Sequence, residues 1–319
     1  MVQEYGGYIE FEHYNGSIYH DEAIALNCGR NALAYLCKAK HIQKLYIPYF
    51  LCESVANLCN KINVAYECYH IGSNFEPIFD RKIESNEYLY LVNYYGQLSN
   101  EKIACWKAKY KNLIVDNAQS YFQLPLKDTD TLYTCRKYFG VADGAFLYTD
   151  SRIDSELPID ESFDRMRFLL GRLECGANKF YSEYVANNKL FATEPMKKMS
   201  KLTQNILRGI DYHEIARQRQ RNFMYLESRL GKYNELSLCP PYGAFMYPLL
   251  VKDGTAKRKL LQQNRIYVPT LWPNVLASCE STSLEYRYAA DLLPLPIDQR
   301  YKLEDMEQIA RCVESILAS

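Results

Sequence analysis

Lys137 closes the stretch Thr134, Cys135, Arg136, Lys137 and is followed by Tyr138, Phe139 and Gly140. A lysine at the end of an apolar run can form a Schiff base if a pocket desolvates it and lowers its pKa. It can equally be one of the solvated lysines found on any surface. Asp116 ends the apolar run Leu113, Ile114, Val115, and Gln119 follows three residues later. A carboxylate there faces the ligand-binding side of a parallel sheet, or else it caps the next turn. Gly29 lies in the run Asn27, Cys28, Gly29, Arg30, Asn31, Ala32 and opens a helical pattern. Free backbone N–H groups and the helix dipole at such a point favour a phosphate. A glycine in an ordinary helix start reads the same way.

The order of the three features is more informative than any one of them. A phosphate turn near residue 29 precedes a strand-end carboxylate at 116, and a lysine stands 21 residues later at the next strand end. Pyridoxal phosphate needs these three parts: an anion cradle, a carboxylate that keeps its pyridine nitrogen protonated, and a lysine for its aldehyde.

The elements that must position these residues follow from periodicity. Residues 29–40 place Ala32, Leu33, Leu36 and Cys37 on one helical face, and 52–62 and 100–110 read the same way. Between them lie short apolar runs at 45–50, 64–70, 88–94, 112–115, 131–135 and 144–148. Several are apolar at consecutive positions, as strands buried on both faces are. Strand and helix in alternation predict an α/β, three-layer fold with a mainly parallel sheet. From 151 to 230 the chain reads as helical and charged, with helices at 161–173, 178–192 and 212–230. Beyond it, 245–251 and 265–269 read as strands, 255–263 and the segment after Leu303 as helices. The expected organisation is a large cofactor-binding α/β domain over 1–230, including the helical segment 151–230, and a small C-terminal α+β domain over 231–319.

Composition removes other function classes. Lys+Arg and Asp+Glu are both 38 in 319 residues, which argues against gripping nucleic acid or anionic membrane. No apolar run approaches a membrane span of about 18 residues. The start, residues 1–14, lacks the basic and apolar regions of a signal peptide. Eleven scattered cysteines without a CxxC pair fit reduced cytoplasmic thiols. Five histidines and no knuckle spacing point away from a metal site.

Here the chain resembles the DegT/DnrJ/EryC1/StrS sugar aminotransferases, pyridoxal-phosphate enzymes of the aspartate-aminotransferase fold. The resemblance covers residues 22–150 best. Cys28, Gly29, Arg30, Asn31, Ala32 and Leu33 match the family's phosphate turn, with Arg30 where the family carries threonine. Asp116, Asn117, Ala118 and Gln119 match Asp-x-Ala-Gln, the most specific motif. The resemblance implies that Asp116 pairs with the ring nitrogen and that Gln119 sits by the phenolic oxygen. It also implies that Lys137 is the Schiff-base lysine and Thr134 a phosphate-binding hydroxyl. The ring-stacking position falls at Cys52, with Phe50 as the aromatic that can serve instead. Related desulfurases carry histidine in place of Gln119, and related dehydratases carry histidine in place of Lys137, so both residues favour transamination.

The function implied is transfer of an amino group to a keto-sugar nucleotide, with glutamate as donor, in surface-polysaccharide or amino-sugar biosynthesis. The alternatives are a catalytically silent relative that binds cofactor or sugar nucleotide without turnover, and an interaction protein that kept only the fold. The family forms homodimers. Phe163, Met166, Phe168, Leu169, Phe180, Tyr184, Leu190 and Phe191 present more apolar surface than a lone helical layer is expected to show to water, so the layer either meets a second copy or folds back on its own domain. The charged run 196–201 reads as a solvated loop, and the Pro-rich segments 271–274 and 293–301 as rigid turns or as a cover for the substrate.

Overall fold

The computed structural model describes residues 5–318; residues 1–4 of the N-terminal stretch and Ser319 lie outside the described residues. Each of the six apolar runs of the first half forms a strand. They are β2 (Lys44–Pro48), β3 (Ala65–Ile71), β5 (Glu87–Val92), β6 (Leu113–Asp116), β7 (Asp130–Thr134) and β8 (Ala145–Tyr148). Two short strands, β1 (Ile24–Leu26) and β4 (Pro77–Ile78), complete an eight-stranded sheet of order β1-β8-β7-β6-β5-β2-β3-β4. β7, β6, β5, β2 and β3 run parallel to one another, whereas β8 opposes both its neighbours and β4 opposes β3. The fold is the expected α/β type, a mostly parallel sheet flanked by helices. The unbroken apolar runs are explained by burial on both faces, since Leu89, Leu91, Leu113, Ile114 and Leu132 are all within 2% of full burial.

Three helices connect the parallel strands: α1 (Gly29–Ala39), α2 (Glu53–Lys61) and α3 (Asn100–Lys109). α1 packs on β7, β8 and β1, which brings its first turn to the end of the sheet where β7 finishes. The second half supplies α4 (Arg167–Cys175), α5 (Tyr181–Leu190), α6 (Lys201–Arg208) and the long α7 (Tyr212–Leu230). A two-stranded sheet of β9 (Tyr247–Leu250) and β10 (Leu292–Leu295) follows, with α8 (Gly254–Gln263), α9 (Val275–Ser278), α10 (Leu284–Asp291) and α11 (Leu303–Ala318) around it. Phe223, Leu226 and Leu230 of α7 share a core with β9, β10 and Met306, Ile309 and Val313 of α11. Among the described residues no helix is long and apolar enough to cross a membrane.

Three local expectations are corrected. Residues 265–269 are not a strand. Arg265 adopts φ 60°, and the amides of Arg265 and Ile266 close the end of α8 on Gln262 and Leu261, so the first half of the run is spent on the helix end rather than on a ladder. The partner of β9 comes instead from the Pro-rich segment. Pro294 faces Pro248, an arrangement possible only where the ladder asks neither residue for an N–H. The charged run 196–201 is not a solvated loop: its backbone bonds β1 through Asn27 N to Lys197 O and Met199 N to Ala25 O, burying Met199 and Ser200.

Candidate active site

The site forms where β6 and β7 end side by side. Asp116 is the last residue of β6 and lies opposite Leu132 of β7. β7 runs two residues further to Thr134 and then turns. Tyr138 and Phe139 both donate their N–H to Cys135 O at 2.9 Å, which holds Lys137 in a tight loop above the sheet. Gly144 ties this loop to α1. It donates to Asn27 O at 2.7 Å, while its own carbonyl accepts Cys135 N–H at 3.1 Å. Its φ of +117° and the 3.1 Å approach that a Cβ would make to Cys135 Sγ leave room for glycine alone. Buried Asp143 beside it accepts from Ser200 N at 2.8 Å, from Ser200 Oγ at 2.7 Å and from Thr203 Oγ1.

Asp116 is held from two sides. Tyr90, buried on β5, donates its hydroxyl to Oδ2 at 2.7 Å, and Ala118 N–H donates to Oδ1 at 2.8 Å. A carboxylate accepts about four hydrogen bonds, so Asp116 keeps capacity for a ligand. Gln119 is buried, and its Oε1 accepts the N–H of Tyr95, a residue at φ 54°. Its amide NH2 remains the group able to meet a ligand.

Lys137 is solvent-exposed and lines a concavity. Desolvation by the surrounding protein pushes its ammonium below the ordinary lysine range; Asp116 and Cys52 pull it back up, and Arg136 adds to the lowering. Asp116 and Cys52 are thus close enough to Lys137 for their charges to act on it. Phe245 closes one side, its ring centre 5.5 Å from Nζ. A cavity of about 450 Å³ includes Lys137, Arg136, Tyr184, Arg172 and Arg300, and one of about 560 Å³ continues past Lys137 towards Tyr267 and Tyr301.

The first turn of α1 faces the same region. No side chain caps it, and a Cβ added at Gly29 would meet nothing within 4 Å. Burial pushes the Cys28 thiol up, against the amides of Asn31 and Arg30 and the guanidinium groups of Arg30 and Arg136. Asn31 contributes backbone only, because its side chain is spent on Asn27 Oδ1 and Pro195 O. A further cavity of about 390 Å³ runs from Arg30 and Cys52 along α2 to Tyr184 and Asn188 of α5.

Of the two stacking candidates, only Cys52 reaches the cleft. Phe50 is 1% exposed, and its ring packs on Trp272, Tyr94 and Tyr288 at 4.6, 5.3 and 5.7 Å. The chain leaves β2 in a bend at residues 49–51, with Leu51 N–H donating to Tyr49 O at 2.9 Å, and Phe50 turns into the core. Trp272 is therefore a packing residue. Thr134 sits half-buried at the end of β7. Tyr90 and Arg136 were not singled out from sequence. Tyr90 stands inside an apolar run in which every residue reads as core, and Arg136 is one of 38 basic residues.

Several solved structures share this fold across most of the chain. The sugar aminotransferase CalS13 from Micromonospora echinospora superposes with a TM-score of 0.62 at 15% identity, covering 93% of this chain and 88% of its own. NtdA from Bacillus subtilis, solved with bound cofactor PMP, gives 0.66 at 15% identity, covering 93% and 73%. The PLP form of the putative sugar aminotransferase Spr1654 from Streptococcus pneumoniae gives 0.64 at 11% identity, covering 93% and 88%. No family profile and no curated protein matches the chain.

Proposed function

We propose that this protein is a pyridoxal-phosphate-dependent aminotransferase acting on a keto-sugar nucleotide, with glutamate as amino donor. The observation that supports the reading is that Asp116 ends β6 beside β7, its charge acts on Lys137 just past the end of β7, and Gly144 N–H ties the Lys137 loop to Asn27 O just before α1. The names of the structures that share the fold support the same chemistry.

The residues fit the cofactor. The open space at Gly29 admits a phosphate to the amides of Gly29, Arg30 and Asn31, where unpaired N–H groups and the dipole favour an anion. Thr134 stands at the adjacent strand end. Asp116, held by Tyr90 and Ala118, keeps a proton on the ring nitrogen, and the Gln119 amide serves the phenolic oxygen. Cys52 lines the cleft where the family carries its stacking residue. When bound, the cofactor supplies an aldehyde and an electron-withdrawing ring. Lys137, with its pKa lowered by desolvation, is suited to bond that aldehyde and then to carry a proton between substrate carbon and cofactor as base and acid.

The setting proposed is cytoplasmic amino-sugar or surface-polysaccharide synthesis by a homodimer. For the dimer, the support is narrower than the sequence suggested. Met166, Phe168, Phe180 and Phe191 are buried within the chain itself. Phe163, Leu170, Leu173, Tyr181 and Tyr184 are exposed by 64, 55, 85, 65 and 45% and leave an apolar surface on and before α4 and α5.

The test is an absorbance spectrum of the purified protein with added pyridoxal phosphate. A visible band near ~410–430 nm that borohydride bleaches is expected. Its absence from a folded preparation sinks the proposal.

A further inference from the structure

We infer that Arg136, the residue before the cofactor lysine, binds the phosphate group of the cofactor within its own chain. The inference rests on the function proposed above and deepens it.

Three observations converge on Arg136. First, its guanidinium has no counter-charge. Among the described residues neither Arg136 nor Arg30 forms a salt bridge with a carboxylate. Asp143, the carboxylate whose charge acts on Arg136, is spent on Ser200 and Thr203. Second, Arg136 Nε is fully buried with no hydrogen-bond partner. Burial of a charged donor without one is costly. Third, Arg136 and Arg30 converge on the same residue of α5. Arg136 Nη2 donates to Asn188 Oδ1, and Arg30 Nη2 approaches Asn188 O at 3.5 Å. Phe191 lies under Arg136, with 4.7 Å from the guanidinium carbon to the ring centre.

The two cations thus stand beside the N-cap of an eleven-residue helix, where both act on the Cys28 thiol. Two guanidinium groups and a free helix start, all positive and none neutralised, form a site for a doubly charged oxyanion. An arginine matches phosphate through paired N–H donors. Asn188 and Phe191 fix its direction. The position directly before Lys137 sets the phosphate and the reactive aldehyde at opposite ends of one small ligand.

Phosphate chemistry could also come from a nucleotide diphosphate, so the test separates the two sources. Pyridoxal phosphate, pyridoxal and UDP are titrated into the apo protein, wild type, Arg136→Met and Arg136→Lys. Arg136→Met is expected to raise the Kd for pyridoxal phosphate by about ten- to hundredfold, to leave pyridoxal and UDP binding unchanged, and to be partly rescued in Arg136→Lys. If Arg136→Met fails to fold, Asn188→Ala, which releases the guanidinium from outside, is expected to lower the preference for pyridoxal phosphate over pyridoxal. An unchanged preference in the folded variant overturns the inference, as does loss of UDP binding with pyridoxal phosphate retained. A wild type that binds pyridoxal phosphate in either case leaves the proposed function standing. One that binds neither pyridoxal nor its phosphate overturns both.

Discussion

Removing one hydroxyl from Tyr90 tests how the cleft holds its central charge. Tyr90 is 2% exposed and donates to Asp116 Oδ2 at 2.7 Å, the short distance of a hydroxyl bonding a carboxylate. Tyr90→Phe keeps the ring and its packing and deletes only that donor. A hydrogen bond to a charged group contributes about 1.5–3 kcal/mol, against about 0.5–1.5 for a neutral pair. Tyr90→Phe is therefore expected to destabilise the apo protein by about 1.5–3 kcal/mol. With a urea slope of about 3 kcal/mol/M the midpoint should fall by about 0.5–1 M. In an Asp116→Asn background the same change should cost about 1 kcal/mol less, because the acceptor is then neutral. Ala118 N–H still anchors Oδ1, so the carboxylate stays in place and cofactor binding persists, weakened. The assay is equilibrium urea unfolding of the four proteins of the cycle. A Tyr90→Phe midpoint indistinguishable from wild type, or an equal cost in both backgrounds, would refute the claim that Tyr90 stabilises the Asp116 charge.

Lys137→Ala should abolish the borohydride-sensitive band and amine transfer while far-UV circular dichroism stays unchanged; a persisting band would assign the cofactor to another lysine. Asp116→Asn should still bind cofactor but lose amine transfer by orders of magnitude, and near-normal turnover would remove Asp116 from its role. His20 is fully buried between Tyr133 and Tyr121, and burial lowers its pKa from 6.5 to about 4. The unfolded chain thus takes up a proton below pH 6.5 that the folded chain refuses until about 4. About 3 kcal/mol of stability should disappear across that interval, and a His20→Phe variant that acid-unfolds along the wild-type curve would contradict this. Sedimentation at micromolar concentration should give twice the chain mass; a monomer that binds pyridoxal phosphate would count against the homodimer and a shared site.

The alternation of apolar runs and amphipathic stretches determined the large sheet, because a strand buried on both faces and a helix packed on one leave different periods. It also determined that Asp116 ends a strand, since it closes a run of β-forming residues, whereas Lys137 lies three residues past the end of the next, in the turn that follows β7. Their types and order were legible because bond-forming chemistry restricts which residues can serve. What the sequence left open are contacts between residues without a shared period. Tyr90 meets Asp116 from 26 residues away, and Arg136 meets Asn188 from 52. Nothing local separates that tyrosine from its apolar neighbours or that arginine from a solvated one. The side to which Phe50 turns depended on Trp272 and Tyr288 arriving from the far end of the chain. The pairing of β9 with β10 rather than with residues 265–269 depended on how α8 closes its last turn. Local pattern selects elements because backbone geometry repeats along the chain. Partners across the fold are chosen by packing and by the need to satisfy buried charge, and only the assembled structure resolves those.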